Sequence, residues 1–80
     1  MQKFKLSDLD FLAMGEVKSL SYFERGVARA NKIIQSGSIV FIADPVTAKT
    51  YDIENQEQLV DLINTIPREH WEYLIIEIID

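Results

Sequence analysis

His70 is the only histidine of the chain, and Glu69 and Glu72 stand beside it. An imidazole among carboxylates can bind a metal or move a proton. A metal site, however, needs three or four converging ligands. No cysteine is present, and no other residues around His70 have a metal-binding spacing. On a strand, His70 and Glu72 would share one face and Glu69 would take the other. A polar lead-in to a strand or helix is the better reading. Nucleophilic chemistry is no better served. There is no G-x-S-x-G, and a single histidine would have to serve any triad. Gly15, Gly26 and Gly37 are too scattered for a phosphate loop. The carboxylate pairs Asp8/Asp10 and Asp52/Glu54 are of the kind common near helix starts, where negative charge complements the helix dipole. These residues predict no enzyme, no cofactor and no metal.

The most organised charge lies on two predicted helices. At about 100° per residue, Arg25, Arg29 and Lys32 fall opposite Phe23, Val27 and Ile34. Glu57 and Asp61 likewise fall opposite Leu59, Ile63 and Ile66. One helix thus presents a basic outer stripe and the other an acidic one. Two solvated faces are the plain reading, and a bipolar docking surface that orients a partner is the sharper one. The basic stripe lacks interleaved aromatics and sits on an acidic chain, which disfavours nucleic acid.

The elements that must position these residues are legible in part. Ser21-Tyr22-Phe23-Glu24 has the form of a capping box, and Phe23, Val27, Ala30 and Ile34 follow at helical spacing. Gly37 stands where a left-handed C-terminal cap is expected. Gly26 costs the helix about 1 kcal/mol relative to alanine, which implies close approach to a neighbour. Ser38 to Ala43 and Ala48 to Ile53 read as an antiparallel hairpin around Asp44-Pro45-Val46-Thr47, a plain connecting turn. Asn55 and Gln58 open a second helix with the stripe Leu59, Leu62, Ile63 and Ile66, and Pro67 ends it. The segment from His70 to Asp80 reads as a strand, with a short helix from Arg68 as the alternative.

Residues 1–20 have no clean period. Ser7 could cap a short helix through Ala13. Part of Asp10 to Lys18 could instead be a strand with Gly15 as a bulge. With that strand the class is α+β, two helices packed on an antiparallel sheet, in the ferredoxin-like split β-α-β order.

Eighty residues make one small domain, marginal without extra support. The longest apolar run, Ile39 to Ala43, is far short of the roughly 20 residues a membrane span needs. The N-terminal ten residues do not resemble a signal peptide, so a cytoplasmic location is the default. The net charge is −5, and the halves differ. Residues 1–40 carry six basic and four acidic side chains, against two and nine in residues 41–80. An acidic second half leaves room for a basic partner.

In the last strand Tyr73, Ile75, Glu77 and Ile79 alternate with Leu74, Ile76 and Ile78. Both sets are mostly apolar, and the first hairpin strand is similar. Helices on one face of a sheet can cover only one set. The other needs a cover, either residues 1–20 or a second protein chain. The leading expectation is therefore a non-catalytic protein-interaction module, for instance a small inhibitor or adaptor. It would dock on another protein or on its own copy, as a homodimer, through the face or edge bearing Tyr73, Ile75 and Ile79. The alternative is a small-molecule-sensing regulatory domain, which the element order permits but does not demand.

Overall fold

The computed structural model describes residues 3–9 and 21–79. Helix α1, Tyr22–Gln35, begins at Ser21 with the full capping box. The Ser21 hydroxyl accepts the Glu24 backbone N–H, and the Glu24 carboxylate accepts the Ser21 N–H. Its C-terminus closes as a Schellman motif, in which Gly37 N–H reaches the Ile34 carbonyl and Ser38 N–H that of Ile33. Gly37 takes φ +89° there, a conformation that favours glycine.

Strands β1 (Ile39–Asp44) and β2 (Lys49–Ile53) form the expected antiparallel hairpin. Helix α2, Gln56–Thr65, starts at Asn55, whose side chain accepts the Gln58 N–H. Gln58 in return accepts the Glu54 N–H. Beyond Pro67 both alternative readings of the tail hold in succession. A 3-10 helix, Arg68–Glu72, precedes strand β3, Ile75–Ile79.

The sheet order is β2-β1-β3, with β1 antiparallel to both neighbours. Strands β2 and β3 therefore run parallel, and their connection through α2 crosses the central strand. The class is α+β. The ferredoxin-like order is not confirmed, because the described sheet has three strands and β3 lies directly beside the first hairpin strand. The possible strand in Asp10 to Lys18, with its bulge at Gly15, lies outside the described residues. Of the short helix proposed after Ser7, only Asp8 and Leu9 are described, and both are helical.

Both helices pack on one side of the sheet, α1 over β1 and β3 and α2 over β2. Phe23, Val27 and Ala30 from α1, Leu59, Leu62 and Ile63 from α2, and Ile66 just beyond it meet Val40, Ile42 and Ile53 in the core. Trp71 joins them from the 3-10 helix, edge-on to Phe23 at 5.4 Å between ring centroids. Gly26 faces this indole closely. A Cβ there would stand 2.9 Å from the Trp71 ring and 3.1 Å from Ile76 Cδ1, which is the close approach that an intrahelical glycine implied. Leu9 is also fully buried. Its segment is held by Phe4, whose backbone exchanges two hydrogen bonds with the Asn64 side chain and whose ring meets Phe23 edge-on. No helix among the described residues is long and apolar enough to cross a membrane.

Candidate functional site

The register separates the strand residues into two faces. Val40, Ile42 and Asp44 on β1 share the helix side with Tyr51 and Ile53 on β2 and with Ile76 and Ile78 on β3. The opposite side carries Ile39, Phe41 and Ala43 on β1, Thr50 and Asp52 on β2, and Ile75, Glu77 and Ile79 on β3. No described helix packs on this open side. Ile75 is 48 % exposed and Ile79 37 %, while Ile39, Phe41 and Ala43 on the central strand are half-buried. Tyr73, just before β3, is exposed too. Ile75 and Ile79 thus lie exposed on the open side, whereas Tyr73, in helical backbone conformation at the end of the 3-10 helix, is outside the strand alternation.

Sequence reasoning overstated how much of β3 the helices hide. Ile78 points to the helix side yet is 48 % exposed, because β3 is an edge strand lying partly outside the helix layer. In the single chain, then, β3 is not buried on both sides.

Across the middle of the open face Phe41 stands opposite Asp52 on one neighbour and opposite Glu77 on the other. Both acids are exposed. One row along the strands, Ala43 is flanked by Thr50 and Ile75; one row the other way, Ile39 faces Ile79. No described strand position on this face is basic. An aromatic ring between two carboxylates, with aliphatic side chains above and below, can hold a cation carried on an apolar segment.

The helical charges fall elsewhere. Arg25, Arg29 and Lys32 are exposed on α1, and Glu57 and Asp61 on α2. Arg29 is not simply solvated, since its Nε–H donates to the Ile76 carbonyl of β3 at 3.2 Å. Both helices lie on the other side of the sheet, which places these five residues away from its open face.

A second constellation went unread in the sequence. His70 Nδ1 lies 3.0 Å from Asp44 Oδ2, although 26 positions separate the two. Asp44 is 2 % exposed. Burial pushes its carboxyl up, but other contacts outweigh that and leave it below its ordinary value. They are the hydrogen bond from His70, the Val46 N–H, the charge of His70 and the Thr47 hydroxyl. An ionised carboxylate only accepts, so the shared proton sits on His70 Nδ1. The pair ties the β1–β2 turn to the 3-10 helix. It is a structural clasp, made by the last residue of β1. Alternation carried a signal for it. Asp44 shares its face with Val40 and Ile42, and a carboxylate on a buried face requires a partner.

An open groove of about 590 Å³ lies by Phe4, Tyr22 and Arg68. Two of its four acids are engaged locally, Asp8 on the Lys5 N–H and Glu24 on Ser21, and Glu69 and Glu72 are exposed beside them. Arg68 lies over the Phe23 ring at 4.5 Å. Among the described residues no group of three or more histidine, cysteine or acidic side chains could hold a metal ion. No family model, curated protein or solved structure matches the chain.

Proposed function

We propose that this chain is a non-catalytic protein-interaction module that docks through the open face of its sheet. One observation carries the reading: Ile39, Phe41, Ala43, Ile75 and Ile79 form a contiguous apolar surface on the side away from both helices. Covering one such side chain is worth roughly 1.5–3 kcal/mol when burial is complete. Apolar patches of several hundred Å² mark interaction sites on small soluble proteins. Such a module acts by occupying its partner's surface, as an inhibitor or adaptor does.

The test is a soluble nitroxide probe in proton NMR, combined with sedimentation over a wide concentration range. In a dilute monomer, signals from Ile75, Glu77 and Ile79 should be bleached by the nitroxide as strongly as those of exposed helix positions. Protection of these residues in a chain that sediments as a monomer would mean that the face is already covered from within. The docking reading would then fail.

A further inference from the structure

Resting on that reading, we infer that the partner is a protein segment in extended conformation that presents an arginine or lysine over Phe41, between Asp52 and Glu77, with aliphatic residues two positions to either side.

The row Asp52–Phe41–Glu77 crosses all three strands. Adjacent strands lie about 4.8 Å apart, so the two acidic positions are about 10 Å apart with the aromatic ring between them. A cation held at the ring meets the aromatic π-system and has a carboxylate position on each flank. The neighbouring rows, Ala43/Ile75 and Ile39/Ile79, lie two residues along the strands, roughly 7 Å away on each side. In an extended chain, side chains at i and i+2 share a face at that same spacing. A segment reading aliphatic-x-Arg-x-aliphatic therefore places all three side chains in register with the three rows.

The same chemistry argues against a second copy on this face. A copy brings another Asp52 and Glu77 and, among the described strands, no basic position on this face to meet them, on a chain of net charge −5. Like charges brought together without counter-charge oppose association.

The experiment uses the full chain labelled with nitrogen-15 and three synthetic peptides that differ only at the centre: STVTRTVTS, STVTQTVTS and STVTETVTS. The arginine peptide should shift the amide signals of Ile39, Phe41, Ala43, Ile75, Glu77 and Ile79, and the glutamate peptide should not. Asp52→Asn with Glu77→Gln should weaken the arginine peptide about tenfold, the scale of a cation–π contact joined to exposed ion pairs. Glu57→Gln with Asp61→Asn, on the opposite side of the molecule, should leave it unchanged. All four side chains are exposed, and a thermal melt of each variant verifies that it folds. Equal binding of the arginine and glutamine peptides at this face would overturn the cation inference while leaving the docking face intact. Absence of any shift at millimolar peptide would overturn the inference as well, whereas the nitroxide result alone decides the docking reading. Concentration-dependent dimerisation that buries Ile75 would replace the basic segment with a second copy.

Discussion

At the scale of single residues, the most consequential contact is the one between His70 and Asp44. Because the Asp44 carboxyl is held below its ordinary value of 3.8, the folded state prefers the ionised form. The stability this contributes is complete above that value. It is lost as pH falls through the lower folded value. Asp44→Asn should therefore be less stable than the parent near neutrality, and it should lose part of the acid sensitivity expected of the parent below about pH 4. Urea midpoints measured from roughly pH 2 to pH 7 test both effects. An unchanged acid profile in the variant would assign that sensitivity to other carboxylates. The pair shows where a single sequence stops being readable. Alternation places Asp44 among buried residues, but no local pattern says which distant residue supplies its proton. His70 has no set of converging ligands close to it in sequence, and the acid it meets lies 26 residues earlier.

At the scale of elements, legibility follows locality. Ser21 and Glu24, Gly37, and Asn55 with Gln58 act within one turn of the chain, and each does in the structure what its type and spacing imply. Gly26 implied a close neighbour but not its identity. That neighbour is Trp71, brought in by a 3-10 turn whose few residues carry no periodic signal of their own. Gly26→Ala would regain about 1 kcal/mol of helix propensity. It would also push a Cβ against a buried indole that has Phe23 on another side, and overpacking costs about 1–3 kcal/mol. The expected outcome is a net loss of roughly 1 kcal/mol in denaturant unfolding, with the helix itself intact by circular dichroism. A variant more stable than the parent would mean that the indole moves aside freely. The tail was harder to read for a related reason. Pro67, the 3-10 helix and β3 follow each other so quickly that helix and strand signals overlap.

At the scale of the whole molecule, the sequence carried the imbalance between strand surface and helix cover, and the structure adds where it falls. The strand pairing lay beyond the sequence. Pairing β3 directly with β1 depends on contacts between segments more than 30 residues apart, and β-branched composition favours any neighbour equally. Since Ile75 is half exposed in the single chain, Ile75→Lys should shift thermal stability by under about 1 kcal/mol, as surface substitutions do. It should also abolish the amide shifts caused by the arginine peptide. A loss of several kcal/mol on thermal unfolding would mean that Ile75 is already sequestered in solution.

The contact from Arg29 to the Ile76 carbonyl bears on lateral growth at the β3 edge. A strand with an open flank is a template on which copies can stack laterally into fibres, and its carbonyls are the docking pegs for each newcomer. Here a guanidinium from the adjoining helix occupies one of those pegs and plants a fixed positive charge beside the row. The open face of the sheet is left clear of this contact, and a copy adding to the β3 flank would have to displace it.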